Sequence, residues 1–197
     1  MKNHRIFVEK YPEFQVEARS LLNELNENLQ LSLHSLRLLN VYDLFGFTED
    51  LLEKSRYGVF GEIVTDSVTD ECDLSGVKYI AVEFLPGQFD QRAASAVECV
   101  KLIEPEADVR IKSSKLIILE PDTDDAVIEK IKHYYINAVE SREKNLAQLS
   151  DTEQAPVIPV RILEGFTALQ EEEFGPYCRK MGLAMNADDL REVVNYF

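Results

Sequence analysis

The sequence has little of what membrane, secreted and zinc-binding proteins usually contain. Its three cysteines are far apart and form no C-x-x-C pair, which argues against a disulfide framework and a thiolate zinc site. No apolar run approaches the roughly 20 residues that span a bilayer. Glu9 interrupts the N-terminal stretch too early for a signal peptide. We therefore expect a cytoplasmic protein with no membrane partner.

The chain is also poor in basic residues. Its 197 residues include 21 Lys and Arg against 36 Asp and Glu, for a net charge of −15. Such a surface repels nucleic-acid phosphates and anionic lipid, so we expect no nucleic-acid partner, although a local basic pocket for a small anion stays open. With 45% hydrophobic residues, the chain can bury the core of one domain, or of one domain with an appendage.

Recognisable catalytic and metal-binding motifs are absent from the sequence. The acidic run at 122–125 resembles the start of a calcium loop. The glycine and the glutamate that such a loop requires further along are replaced by Val127 and His133. The three histidines have neither ligand spacing nor a triad motif around them. These histidines are His4, His34 and His133. The residues alone thus predict no catalytic, cofactor-binding or metal-binding set.

The most distinctive run is Leu-Pro-Gly-Gln-Phe-Asp-Gln-Arg at 85–92. A phosphate-binding loop needs several glycines and a following lysine, whereas this run has only Gly87 and no such lysine. The local interpretation is a turn between a strand and a helix. Asp90 is predicted to cap that helix, with Arg92 in its first turn.

Two parts of the chain have the same order of predicted elements, strand-helix-strand-helix-strand. The motif Val-Glu-x-x-Pro at 8–12 recurs at 82–86, a shift of 74 positions. The run Leu-Glu-Lys at 52–54 corresponds to Ile-Glu-Lys at 128–130, a shift of 76. Similar offsets near both ends of a copy favour a duplication over chance.

The sequence therefore predicts an α+β fold of two tandem copies, at about 4–66 and 78–142. Each copy has one sheet face to hide, so we expect a mostly antiparallel sheet with pseudo-twofold packing of the copies. The polar stretch 143–159, with two prolines, is predicted to be a linker. A small helical segment follows it.

Several element boundaries can be predicted from local signals. The run at 61–66 is interpreted as a short strand. Asp122 is predicted to cap the helix that begins directly after Asp122. Thr167 is predicted to open a capping box, in a helix disturbed near Pro176. Asn186 is predicted to cap the last helix.

The run AVEFLPGQFDQRAASAVECV resembles the N-terminal region of the phosphoribosylformylglycinamidine synthase family, in its long single-chain form. Four further segments resemble that family in the same order, so the resemblance covers essentially the whole chain. These segments are RIFVEK, LRLLNVYDL, NAVESRE and GLAMNADDL. The family commonly has Asn-Pro-Val where this chain has Asn137-Ala138-Val139, a change that alters one turn.

The resemblance implies a PurS-like domain at 1–145, made of two fused copies, and the beginning of a helical linker domain at 146–197. The parent ligase of purine biosynthesis would hydrolyse glutamine and pass the ammonia internally. It would use ATP and magnesium to convert formylglycinamide ribonucleotide into the amidine. The family's nucleophilic cysteine, phosphate loops and magnesium ligands match nothing in this chain. This segment would therefore be inactive alone and hold no cofactor.

The role that the resemblance implies is structural. The partners would be the glutaminase and synthetase domains of the same chain, which this segment would hold in position. The candidate docking residues form one consecutive run. They are Gln88, Phe89, Asp90, Gln91 and Arg92.

Two other hypotheses stay open at this point. The chain could be a free-standing regulatory module that binds a small metabolite where its two copies meet, or a small enzyme with an unrecognised site. The apolar stripe of Val193, Val194 and Phe197 ends without a helix stop signal, so we expect a longer parent protein and weak self-association of this piece.

Overall fold

A computed structural model describes residues 3–151 and 162–197. The chain divides into two compact units, 1–154 and 155–197. The first unit is an open, antiparallel six-stranded sheet with four helices on one face. The predicted α+β class with an antiparallel sheet is therefore confirmed.

The elements of the first unit alternate along the chain. In order they are β1 (His4–Lys10), α1 (Val16–Leu29), β2 (Arg37–Phe45), α2 (Glu49–Ser55), β3 (Asp66–Thr69), β4 (Lys78–Phe84), α3 (Gln91–Ile103), β5 (Arg110–Leu119), α4 (Asp125–Tyr135) and β6 (Ser141–Glu143). The strand order in the sheet is β3-β1-β2-β5-β4-β6. The central pair, β2 and β5, runs from Arg37 opposite Ile118 to Phe45 opposite Arg110.

The helical face of the sheet carries two separate hydrophobic cores. One core packs α2 and α3 against β1, β2 and β5, and the other packs α1 and α4 against β4 and β5. The strands supply alternate residues to this face, because successive side chains of a strand point to opposite sides. Leu25, Val100 and Ile131 have no exposed surface at all and anchor the helices to the sheet.

The opposite face of the sheet is also apolar at its centre. Val41 and Leu116 are fully buried there, and the segments 70–77 and 144–151 cover them through side chains such as Leu74 and Leu146. Arg5 holds the second of these segments by donating to the backbone carbonyls of Leu146 and Gln148. The stretch up to Asp151 is thus packed against the sheet, and the rest of the predicted linker, 152–159, lies outside the described residues.

Two predicted boundaries in the first unit are wrong. The third strand begins at Asp66, because residues 62–65 form a turn in which the Asp66 carboxylate accepts the backbone N–H of Glu62 at 2.9 Å. Helix α4 is capped by Asp124, whose side chain accepts the N–H of Ala126 at 2.8 Å. Asp122 precedes this cap by two residues.

The described part of the second unit, 162–197, contains the α-helices α5 (Glu171–Met181) and α6 (Ala187–Tyr196). Helix α5 is capped by Gln170, and Thr167 lies in a short 3-10 turn before it, so the predicted capping position is wrong. The helix also continues through Pro176, which was predicted to disturb it. The predicted cap of α6 is confirmed, because the side chain of Asn186 accepts the N–H of Asp189 at 2.9 Å.

The apolar stripe of α6 is only partly exposed. Val194 packs against the core of the second unit, Val193 is half-buried, and Phe197 is 80% exposed. Across the described residues, no helix combines the length and the apolar character that crossing a membrane requires.

Candidate functional site

The turn at 85–92 brings the five candidate residues to one end of β4. Gly87 has a φ of +88°, a conformation that glycine adopts without strain. Asp90 caps α3 as predicted, since one carboxylate oxygen accepts the N–H of Ala93 at 2.9 Å. The same carboxylate accepts the backbone N–H and the hydroxyl of Ser113, both at 2.8 Å. Asp90 therefore ties α3 to β5 within the fold.

The remaining candidates point in two directions. Gln88 donates to the carbonyl of Val139 at 3.3 Å, and Phe89 is 75% exposed. Gln91 and Arg92, at the start of α3, line a cleft on the helical face of the sheet. Whether any of the five residues contacts another domain stays a prediction.

Phe89 belongs to an exposed apolar surface that we call the β6-edge patch, made of Phe84, Phe89 and Val139. These side chains are 41%, 75% and 78% exposed. The turn and the segment before β6 are held together because the N–H of Leu85 donates to the carbonyl of Glu140 at 2.8 Å. Clustered exposed apolar side chains mark interaction surfaces more often than isolated ones do.

A second apolar surface, the β3-edge patch, lies at the opposite edge of the sheet. Its members follow β1 or precede β3, and they are Tyr11, Phe14, Val16, Ile63 and Val64, between 38% and 75% exposed. Five strand spacings separate β3 from β6, or about 24 Å. The sequence analysis missed this patch, since it interprets residues 61–66 as a short strand.

The cleft beside α3 encloses about 730 Å³. Its floor is formed by β2, β4 and β5, and its walls by α3 and the end of α4. The cationic side chains in it are Arg92 and Lys115, and the aromatic ones include Tyr42 and Tyr135. The volume falls within the range of ordinary small-molecule sites.

The two cations of the cleft interact with each other and with nearby oxygens. Burial lowers the pKa of Lys115, a hydrogen bond to Glu17 at 2.7 Å opposes this effect, and the charge of Arg92 adds to it. Burial also acts to lower the pKa of Arg92, but the hydrogen bond to the Tyr42 hydroxyl and the neighbouring carboxylates outweigh it and raise the pKa.

A smaller cleft, of about 190 Å³, lies on the other side of the 85–92 turn. Its charged groups neutralise one another: Lys144 bridges Asp43 at 2.8 Å and Glu83 at 3.0 Å, and Arg142 contacts Glu83 at 2.8 Å. This internal network supports the fold and leaves no unpaired carboxylate among these side chains for chemistry.

Within residues 3–151 and 162–197, no group of three or more histidine, cysteine or acidic side chains is arranged to hold a metal ion. Among known proteins, neither a scan against protein-family models nor a search of curated proteins found a match. Functional arguments for this chain therefore depend on its own residues and geometry.

Proposed function

We propose that this chain is the N-terminal part of a phosphoribosylformylglycinamidine synthase and acts there as a non-catalytic bracket. The observation that carries the proposal is the run LPGQFDQRA, the part of the chain that most specifically resembles that family. Its residues Gln88 and Phe89 lie at the surface, where they are free to contact another domain. The chemistry would belong to the glutaminase and to the ATP- and magnesium-dependent synthetase of the same polypeptide.

The bracket is proposed to consist of two tandem PurS-like copies related by a pseudo-twofold axis. Equivalent core positions support this, since buried Leu25 of α1 and buried Val100 of α3 are 75 positions apart. Buried Leu52 of α2 and buried Ile128 of α4 are 76 positions apart. Helix positions of matching burial at nearly constant offset are expected of a duplicated unit.

The register of the central strands also supports the duplication. Asn40 and Lys115 are opposite each other in the β2–β5 pair and are themselves 75 positions apart. A twofold axis through an antiparallel pair makes a residue face its own equivalent, so this register agrees with an axis at the Asn40–Lys115 pair. The strand order, 3-1-2 followed by 5-4-6, reverses about the same point.

The helices of the two halves are interlocked, which suits a rigid bracket. Helix α1 of the first half packs with α4 of the second, and α2 packs with α3. The hydroxyl of Tyr134 on α4 donates to Glu24 of α1 at 2.8 Å and accepts from Asn28 at 2.7 Å. Neither half can move without disturbing a core that contains helices from both.

The two edge patches give the bracket two surfaces for docking. The β6-edge patch includes the resembling turn, and the β3-edge patch lies at the other end of the sheet. Under this proposal each patch contacts a different part of the parent enzyme. Holding glutaminase and synthetase in fixed positions would keep ammonia from escaping into water.

The experiment measures glutamine hydrolysed per amidine formed in the full-length natural protein. The double substitution Phe89→Ser and Val139→Ser should raise this ratio at least several-fold, because ammonia is lost when docking weakens. The control is Leu102→Ser, which removes a side chain that is 86% exposed on α3, outside both patches. An unchanged ratio in the patch variant, with the control also unchanged, would contradict the docking role.

A free-standing regulatory module is the second candidate function. The specific observation in its favour is the 730 Å³ cleft, which takes Tyr42 and Val59 from the first half and Arg92 and Lys115 from the second. It predicts a natural protein without synthetase domains that is stabilised by a small ligand. The presence of synthetase domains in the natural protein would favour the bracket, even if a small ligand stabilised that protein.

A further inference from the structure

We propose that the cleft between α3, the end of α4 and the sheet binds a phosphate monoester whose organic part is aromatic or apolar. This site goes beyond the bracket function and does not depend on it. Nothing in the proposed docking role requires a ligand in this cleft.

The strongest anion-binding group in the cleft is Arg92. Within the described part of the chain it makes no salt bridge, and its recorded hydrogen bond is a long one, 3.4 Å, to the hydroxyl of Tyr42. A guanidinium has five N–H donors, so most of its capacity is unused. Its place in the first turn of α3 opposes the helix dipole, and helix stability therefore does not explain it.

Two neighbours of Arg92 add to the anion-binding character of the site, Lys115 by its charge and Ser95 as a hydrogen-bond donor. Burial is the main cause of the lowered pKa of Lys115, and the positive charge of Arg92 adds a smaller effect in the same direction, so the two cations lie close enough to repel each other. Ser95 is three residues after Arg92 and lines the same cleft, so its hydroxyl is on the same helix face. An anion with two charges would relieve the repulsion between Arg92 and Lys115 and would accept hydrogen bonds from both of these cations.

Three of the four carboxylates near these cations are already engaged, and the fourth, Glu140, lines the cleft beside Ser141. Glu17 accepts from Lys115 at 2.7 Å, and the oxygens of Asp90 accept from Ser113 and Ala93. Glu83 pairs with Arg142 and Lys144, so Arg92 is a cation of the cleft that no described carboxylate pairs with directly. A bidentate phosphate contact is the interaction that its planar geometry suits best.

The organic part of the ligand is indicated by the remaining walls. Tyr42, Phe84 and Tyr135 present aromatic surface, and Val59 and Ala96 present aliphatic surface. The volume of about 730 Å³ leaves ample room beyond a phosphate group. The cleft thus combines a cationic end with an apolar body, the usual composition of a small-molecule site.

The test is a titration of the ¹⁵N-labelled chain, followed by amide NMR at constant ionic strength. The probes are inorganic phosphate, phenyl phosphate and phenol. We expect saturable shifts at residues 91–99 and 113–115, with phenyl phosphate binding at least tenfold more tightly than inorganic phosphate or phenol. Arg92→Gln should weaken phenyl phosphate binding at least tenfold, whereas Lys101→Gln, the same change of charge elsewhere on α3, should not.

A second variant separates site loss from misfolding. Ser95→Phe fills the cleft from an exposed helix position and should abolish binding while the rest of the spectrum is unchanged. The site would be overturned if Arg92→Gln and the unmodified chain bound phenyl phosphate with equal affinity. It would also be overturned if a matching amount of chloride reproduced the chemical shift changes. Equal affinity for phenyl phosphate and inorganic phosphate would overturn the assignment of the organic part.

Discussion

Lys144 and Asp43 form an ion pair at 2.8 Å in which each side chain is only 4% exposed. Lys144 also contacts Glu83 at 3.0 Å, so one ammonium joins β2 to β4 across the intervening strand β5. Asp43 in turn receives two hydrogen bonds from Arg5, at 2.5 and 3.0 Å. These charges lock the segment after β6 onto the face of the sheet that lacks helices.

Removing this ammonium should destabilise the first unit. Lys144→Met leaves the buried carboxylate of Asp43 and the partly buried carboxylate of Glu83 with one partner fewer, and we expect a loss of about 2–4 kcal/mol in the free energy of unfolding. Urea denaturation monitored by circular dichroism measures it. Lys54→Met, which breaks an exposed pair on α2, should cause no measurable change. A loss no larger than that of the control would contradict the role assigned to Lys144.

Gly46 is predicted to be intolerant of alanine. Its φ is +80°, and a Cβ built there would lie 2.4 Å from the backbone carbonyl oxygen of Asp108. We expect Gly46→Ala to cost about 2–4 kcal/mol in the free energy of unfolding, from strain and displacement of that backbone. Gly76→Ala is the matched control, because Gly76 has a φ of +72° with open space around it, and should cost about 1 kcal/mol. Similar costs for the two variants would show that the close approach does not matter.

Asp66 is expected to make the stability of the first unit sensitive to acid. Burial acts to raise the pKa of its carboxyl, but the N–H of Glu62, the ammonium of Lys10 and the hydroxyl of Thr65 outweigh this and lower the pKa. A lowered pKa means that the stabilisation is complete above the unfolded-state value and is lost as pH falls through the folded-state value.

The corresponding experiment compares the unmodified chain with Asp66→Asn by urea denaturation. At pH 7 the variant should be less stable by about 1–3 kcal/mol, and the difference should shrink as pH falls below about 4. Asp122→Asn, at an exposed carboxylate, should follow the unmodified chain throughout. A difference that stays constant down to low pH would contradict this account of Asp66.

The end of α6 is expected to cause weak self-association of the 197-residue chain. Tyr196 and Phe197 are 83% and 80% exposed, and their rings contact each other edge to face with centroids 5.0 Å apart. Sedimentation velocity should show a weight-average mass that rises with concentration. The double substitution Tyr196→Ser and Phe197→Ser should remove the rise, and a monomer at every concentration of the unmodified chain would refute the prediction.

Local signals in the sequence were sufficient for much of the fold. The alternation of apolar residues located the main strands, and the caps Asp90 and Asn186 were predicted because capping depends on a few adjacent residues. The errors at Asp122 and Thr167 have a common cause. Several residues near each helix start can accept a hydrogen bond, and tertiary packing decides which one does so.

Long-range features could not be predicted in the same way. Nothing in composition indicates that Lys144, in a polar stretch, would be buried between Asp43 and Glu83. The β3-edge patch was hidden for a related reason, because Ile63 and Val64 look like strand residues until the turn at 62–65 is known. The cleft around Arg92 is formed by several elements that are distant in sequence, and the sequence left open only a local basic pocket of unknown place.

The bracket hypothesis is tested most directly by expressing the uninterrupted natural reading frame and assaying it with glutamine, ATP, magnesium and formylglycinamide ribonucleotide. The account predicts amidine formation by that full product and none by residues 1–197 alone. A reading frame without a synthetase domain, or turnover by the 197-residue chain itself, would contradict it.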